Sequence, residues 1–591
     1  MFVFLKLMSM KLLKHYLYTF LLAGIITSCN FLDKEPTDLT PETYFNTADE
    51  ASSFLTGIYA ILGQASFYGE NYIYLQGGDD LQTYGGSSTR TPATKGLICA
   101  NALSSDPAVT GFWYTLYSGI NRANMFLENI DRVPEMDAKL KAQYIAEARF
   151  LRAFYYFNLV QNWGDVPFRT KSVNSVVGLE IERTNRQTIY DFIVKEMAEV
   201  SDEETGGLLS AEELNFKPGH VSKSAAWGML SRVYLFRAGE WHREKRQATN
   251  DELKTYFEKA SEYGQKVKGL NKHSLAENYW DFFIDICSNE YNTTANESLW
   301  EAEFAGNYTT DIIAEGRWGN IVGLGAPDLS NQSNIVGSED PGYCYEFIFA
   351  TPYLYNLYTD NGDQERFYWN IAPFKYLDAN DSGKGAVKKR QFVSQKAMDV
   401  IKNTFGNWGR NTYSYAADYF KDNADQSPSC AKYRREYEDD KKNKNFTSIN
   451  YPILRYSDVL LMIAEAENEA YGGPTALAKE CLTLVRTRAG LEYPKDIESQ
   501  DAFRKAVKEE RAMELCFEFT RRNDLIRWGE FTEKMQERRS EAIASDPSIW
   551  VQVKLNNVQN YLDVTDTYNY FPIPDAEMAV NKAITSNNPG W

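Results

Sequence analysis

Ala146-Glu147-Ala148-Arg149-Phe150-Leu151-Arg152-Ala153-Phe154-Tyr155-Tyr156-Phe157 is the stretch on which the fold turns. Across it Tyr144, Ala148, Leu151, Tyr155 and Leu159 keep a 4-3-4-4 spacing, which is one face of an α-helix. Asp165, Val166 and Pro167 end that helix. Similar patterns predict helices near 48–64, 111–131, 186–202, 221–238 and 251–268. Many are rich in alanine and aromatic residues at the spacing of tetratricopeptide-like helix pairs, where small residues face large ones. No clean repeat of fixed period accompanies them.

The C-terminal third continues the theme. Val459, Met462, Ile463, Ala466 and Ala470 form an apolar stripe broken by Gly472-Gly473. Pro474 stands at a helix start, where a missing N–H costs nothing. The next helix runs to about Arg488 with Gly490 placed to cap it, and a further helix spans roughly 500–519. Two regions differ. Residues 65–110 hold Gly77-Gly78-Asp79-Asp80 and Gly85-Gly86-Ser87-Ser88-Thr89, and residues 270–450 are rich in Asn, Asp, Gly and Tyr. Both read as long irregular excursions, which in compact proteins usually carry function.

The start of the chain sets its compartment. Lys6, Lys11 and Lys14 precede an apolar run from Tyr16 to Ile26, then Thr27-Ser28-Cys29. A basic start, an apolar centre and small residues before the cut make a secretory signal, residues 1–28. A cysteine directly after the small pair is the pattern of a lipoprotein signal, with Cys29 as the lipidated first residue. The apolar run falls short of the roughly 20 residues that a membrane span needs.

Of the 591 residues, 24% are charged and 43% hydrophobic, so a packed core is feasible, as one large domain or two to four smaller ones. The net charge of -18 argues against nucleic acid and against a polybasic membrane patch. Attachment to a membrane therefore falls to lipid. Seven cysteines are scattered without framework spacing, and Cys481 and Cys516 read as small buried hydrophobes.

Motifs of catalysis are missing. The four histidines include no HExxH, and there is no GxSxG elbow, phosphate loop or GxGxxG, so a zinc enzyme or a triad has no support. Carboxylates are plentiful enough for a two-carboxylate glycosidase. Glu510, Glu514 and Glu518 recur at i, i+4, i+8 and could be acid–base groups or metal ligands. Arg511, Arg521, Arg522, Arg527, Arg486 and Arg488 lie close in sequence, which favours an interhelical ion-pair network.

Taken in order, the motifs resemble the SusD/RagB family of outer-membrane nutrient-binding lipoproteins. After Cys29 come Phe31-Leu32-Asp33 and Pro36, then Asn121-Arg122-Ala123-Asn124. Glu147–Ala153 leads to Trp163-Gly164-Asp165-Val166-Pro167. Late in the chain stand Pro452-Ile453-Leu454-Arg455-Tyr456-Ser457-Asp458, Val485-Arg486-Thr487-Arg488-Ala489-Gly490, Glu510-Arg511 and Asp524-Leu525-Ile526-Arg527-Trp528-Gly529. Phe571-Pro572-Ile573-Pro574 and a terminal Asn588-Pro589-Gly590-Trp591 close the series. Ala146 stands where the family often has Gly, and Trp591 where it usually has Tyr.

The resemblance implies a mainly α fold, with four tetratricopeptide-like helix pairs in a right-handed superhelix and long irregular ligand-binding loops. It implies one domain over 29–591: a helical part to about 240, a loop-rich part over about 270–450 and a helical part over about 451–591. It further implies a non-enzymatic protein, lipid-anchored in the outer membrane and exposed at the cell surface. Such a protein captures an oligosaccharide, or alternatively a peptide, for a SusC-like TonB-dependent transporter.

A sugar site needs flat aromatics flanked by polar side chains. The first irregular region supplies Tyr72, Asp80, Tyr84 and Arg90, and the second Tyr308, Arg317, Trp318 and Asn320. Trp318 is the foremost candidate because glycines flank it in a polar stretch, whereas Trp300 reads as core. No cofactor is expected. Oxygen-rich turns at Asp378, Asn380 and Asp381, or at Asp360, Asn361 and Asp363, would suit a structural calcium ion, and ordinary solvated turns account for the same residues.

Overall fold

The computed structural model describes residues 44–85, 98, 102–173, 178–243, 250–304, 316–326, 342–371, 374–377, 389–392, 412–415, 430–438, 444–544 and 563–591. Helices α1 (Ala48–Tyr59), α2 (Asn71–Gln76), α3 (Pro107–Asn129) and α4 (Ala138–Trp163) open it, followed by α5 (Arg186–Val200), α6 (Lys223–Arg243) and α7 (Asn250–Gly269). The loop-rich middle carries α8 (Tyr279–Cys287), α9 (Pro352–Asn361) and α10 (Gln364–Asn370). The C-terminal part holds α11 (Tyr456–Tyr471), α12 (Ala476–Arg488), α13 (Gln500–Leu515), α14 (Arg521–Arg527), α15 (Phe531–Ala544) and α16 (Asp575–Val580).

The helix that carries the opening motif is α4. The Asp137 side chain caps it by accepting the Leu140 N–H at 2.9 Å, and Gly164 ends it with φ +72°. From Ala146 onward almost every α4 side chain is buried except Arg149, because α3 covers one side and α5 another. The small-against-large pattern is literal where α3 crosses α4. A Cβ at Gly119 would lie 2.6 Å from the Tyr155 ring, so only glycine lets the two helices meet. Helices α6, α7, α11, α12 and α13 then pack in succession. The mainly α expectation holds, and helix ends fall within a few residues of the expected ones. Proline 474 precedes its helix, with Thr475 as the cap, and α13 stops at Leu515, so Glu518 lies in the following turn.

Strands are short. β1 (Gln82–Tyr84) pairs antiparallel with β5 (Ile348–Ala350), β2 (Val166–Pro167) with β3 (Arg183–Thr184), and β4 (Ser298–Ala302) with β9 (Tyr451–Arg455). β6 (Phe374–Leu377), β7 (Lys389–Phe392) and β8 (Thr412–Tyr415) form a separate three-stranded sheet. The β4–β9 ribbon ties the loop-rich middle to the C-terminal helices. Its Trp300 is fully buried, edge-on to Phe154 at 4.7 Å and Phe150 at 5.4 Å, so this tryptophan is core as expected. Residues 65–76 are not a surface excursion. Phe67, Tyr68, Tyr72, Ile73, Tyr74 and Leu75 all lie in the main core.

Candidate functional site

An aromatic row lies on the segment that runs into β5. Tyr343, Tyr345 and Phe347 occupy alternate positions before Ile348, with a turn at Glu346 (φ +55°) between the last two. Tyr345 and Phe347 stack with centroids 5.0 Å apart and planes 21° from parallel. Tyr343 meets Tyr345 edge-on at 4.7 Å, and Tyr84 extends the row beyond Phe347 at 5.3 Å. The β1–β5 pairing places Tyr84 there, opposite Ile348. Tyr343, Tyr345 and Phe347 are half-buried, so the row keeps part of its surface in water.

Cations and amides frame the row. The Arg317 guanidinium stands 5.9 Å from the Tyr345 ring centre and 6.0 Å from that of Phe446, and Lys444 Nζ stands 5.1 Å from Tyr343. The Tyr345 hydroxyl donates to Asn445 Oδ1 at 3.0 Å. Flat rings beside amide and guanidinium groups can pair with C–H faces and hydroxyls at once.

The expected site residues separate into three groups. Tyr84 and Arg317 do meet in this row, although Tyr84 is almost wholly buried and serves as its base. Asn320 is buried behind it. Its amide donates to the carbonyls of Tyr343 at 3.3 Å and Lys444 at 2.7 Å, and its oxygen accepts from Arg317 Nε at 2.9 Å. Asn320 thus positions the row and offers nothing to a ligand. Trp318, Tyr72 and Asp80 correct the expectation outright. Trp318 is fully buried, stacked on Tyr451 at 4.5 Å, with its indole N–H donating to the Tyr68 carbonyl at 2.8 Å. The flanking glycines mark close passage through the core, not a loop tip. A Cβ at Gly316 would meet Phe304 at 2.8 Å, and one at Gly319 would meet Ile449 at 2.5 Å.

Tyr72 lies 4.7 Å from Tyr68 and 5.6 Å from Tyr451 in the same buried cluster. Asp80 pairs with Arg521 through both oxygens, at 2.8 and 3.0 Å. Cys29, Arg90 and Tyr308 lie outside the described residues, as do Asp378, Asn380 and Asp381. The other proposed cation turn is otherwise engaged: Asp363 caps α10 and binds Arg366 Nε at 2.6 Å, and Asn361 donates to Leu357. Among the described residues no group of acidic, histidine or cysteine side chains is arranged to hold a metal.

The carboxylates 510, 514 and 518 form a buried cage. Arg455 reaches Glu297 at 3.0 Å, Glu514 at 2.6 Å and Glu518 at 2.9 Å. Arg366 reaches Asp363, Glu510 and Glu514, Arg486 holds Glu510, Arg488 holds Glu297 and Glu514, and Lys432 holds Glu518 at 2.6 Å. Five cations thus face five anions. Burial opposes ionisation of Glu514, but Arg488, Arg455 and Arg366 outweigh it and hold the carboxyl well below the usual range. A carboxylate so held is a poor proton donor, and the network reading stands. Of the arginines named from sequence, Arg486 and Arg488 join this cage. Arg511 instead pairs with Asp458 and Asp524, Arg521 with Asp80, and Arg527 with Glu465 and Asp524, while Arg522 donates to the Tyr568 carbonyl.

The molecule is thus a helix-pair scaffold that carries a loop-built aromatic face. A family model described as "SusD family" matches residues 296–591, and one described as "Starch-binding associating with outer membrane" matches residues 30–235. The chain belongs to the SusD/RagB family. It is similar to SusD-like protein P25 of Formosa agariphila, with 26% identity over 89% of this chain and 92% of that protein. It is also similar to the starch-binding protein SusD of Bacteroides thetaiotaomicron, with 24% identity over 79% of this chain and 76% of that one. Among solved structures, a SusD homologue from Bacteroides thetaiotaomicron superposes with a TM-score of 0.72 at 24% identity, covering 93% of this chain and 98% of the other. Surface glycan-binding protein A of the same organism, in complex with laminarihexaose, superposes with a TM-score of 0.61 at 19% identity over 92% and 99% of the two chains.

Proposed function

We propose that this chain is a non-enzymatic, glycan-binding outer-membrane lipoprotein that captures an oligosaccharide on the row Tyr343–Tyr345–Phe347. It is anchored through Cys29, exposed at the cell surface, and delivers its ligand to a SusC-like TonB-dependent transporter. The half-exposed row with Arg317 and Lys444 over its rings carries this reading. Family membership and relatives named for starch and surface-glycan binding support it. Arg317 and the rings lie in the second irregular region, and Tyr84 joins them from the first.

Affinity electrophoresis against starch, laminarin and other polysaccharides tests the binding. Retardation in one of the gels, lost in Tyr345→Ala, is expected. Retardation in none of them overturns the glycan reading. Mass spectrometry of the membrane-extracted protein should find a mature chain that begins at acylated Cys29, and a TonB-dependent barrel should copurify with it.

A further inference from the structure

A second cleft lies apart from the aromatic row and shares no residue with it. It has a volume of about 790 Å³, inside the roughly 300–1,000 Å³ span of small-molecule sites. One wall is α3, where Tyr114, Tyr117, Ser118 and Asn121 fall at i, i+3, i+4 and i+7 and so share a face. The facing walls are the chain from Pro167 to Val173 with Gly178 to Ile181, and Glu577, Val580 and Asn581 at the end of α16.

Three features define what would fit. First, apolar surface is exposed here: of the eight large exposed apolar side chains among the described residues, Tyr114, Leu179 and Val580 line this one cleft. Isolated exposed apolar residues need no explanation, but a cluster around a concavity does. Second, hydrogen-bonding capacity remains open. Asn121 accepts the Val173 N–H at 2.7 Å with its oxygen, while its amide nitrogen, Ser118 Oγ and Tyr114 Oη have no partner among the described residues. Partial burial and the nearby Glu577 raise the Tyr114 phenol, so it remains a donor. Third, charge is balanced. Arg169 and Lys171 are offset by Glu180 and Glu577, and Arg169 already donates to the carbonyls of Gly178 and Leu179.

A charged ligand would gain nothing net from this lining, and a wholly apolar one would strand the amide and hydroxyl donors. We propose that the cleft between α3, residues 167–173 and 178–181, and α16 is a second binding site for a small neutral sugar, stacked on Tyr114 and hydrogen-bonded to Asn121 and Ser118.

The test is saturation-transfer NMR on the detergent-solubilised full chain carrying Tyr345→Ala, which weakens the aromatic row. The probes are D-glucose, D-galactose, D-xylose, cellobiose and laminaribiose at millimolar concentration. Transfer to at least one sugar is expected, falling about tenfold when the exposed anchor is removed in Tyr114→Ala and falling also in Asn121→Asp, which keeps the acceptor and removes the donor. No transfer to any probe overturns the proposal, as does transfer that survives Tyr114→Ala. Loss of a copurifying membrane protein in Tyr114→Ala, with sugar signals unchanged, overturns it in favour of a docking surface. Because every comparison is made within the Tyr345→Ala background, a loss caused by Tyr114→Ala reports on this cleft and not on the row.

Discussion

The aromatic row and the arginine–carboxylate cage both set cations against aromatic rings, and they do opposite things. Around Arg455 the rings of Phe282 and Phe283 stand 5.5 and 5.6 Å from the guanidinium, as Tyr345 stands 5.9 Å from that of Arg317. In the cage the guanidinium is almost fully enclosed, and it bonds Glu297, Glu514 and Glu518 together. In the row Arg317 keeps partial exposure beside rings that also reach water. Among the described residues Arg317 has a single carboxylate partner, Glu70 at 3.7 Å, where Arg455 has three; enclosure and the density of pairing separate a scaffold from a surface able to bind.

The contrast breaks most visibly in the cage. Arg455→Ala leaves Glu297, Glu514 and Glu518 buried with one cation fewer, and should cost about 3–5 kcal/mol, read as a large fall in melting temperature or loss of folded protein. Trp318→Ala tests whether that tryptophan belongs with the cage or with the row. As a core residue it should cost about 3–5 kcal/mol in denaturant unfolding; a neutral effect on stability together with lost glycan binding would return it to the site.

A third test uses pH. Burial raises Glu301 to about 7, against hydrogen bonds from Ser298 and Asn450, and burial raises Asp285 to about 6. The folded state therefore holds protons that the unfolded chain has released. Stability from these groups is full below the ordinary carboxylate range and is lost as pH rises through about 6 to 7. Glu465 runs the other way. Burial opposes its ionisation, but Arg527 outweighs it and holds the carboxyl at about 2, so its contribution is present at neutral pH and lost in acid. Glu301→Gln should flatten the decline above pH 5, by up to about 3 kcal/mol at pH 8, when unfolding is followed across pH. The smallest stability change belongs to the row. Tyr345→Ala should cost no more than about 1 kcal/mol of folding while weakening polysaccharide binding about tenfold or more, measured by calorimetry on the same preparation.

Much of the scaffold was legible. The 3.6-residue stripes of α4 and α11, the break at Gly472 and the turn at Gly490 depend on local spacing and backbone freedom and appear where expected, and α4 stops at Gly164, one residue before the expected Asp165-Val166-Pro167. The site was less legible for a specific reason. Glycine beside an aromatic signals either a turn in solvent or a chain squeezed against neighbours, and Gly316 and Gly319 are the second kind. Nothing local marks Tyr343, Tyr345 and Phe347 as one face, because Glu346 between them takes φ +55° and their alternation is not that of an extended strand. Glu518 was read onto a helix that ends at Leu515, because the turn through Phe517 at φ +60° leaves no periodic mark.

By itself the sequence determined the helical elements, the balance of charge and the family to which the chain belongs, since period, capping and motif order are properties of neighbours along the chain. Only the tertiary structure decided which aromatic and charged residues face water. Trp318 and Tyr345 are both aromatic residues of the Asn-, Asp-, Gly- and Tyr-rich region 270–450. One lies against Tyr451 and Tyr433 and is sealed by the core, while the other stands at the edge of the β5 segment beside Arg317. Enclosure depends on partners far away in the chain, which close over one ring and leave the other half open.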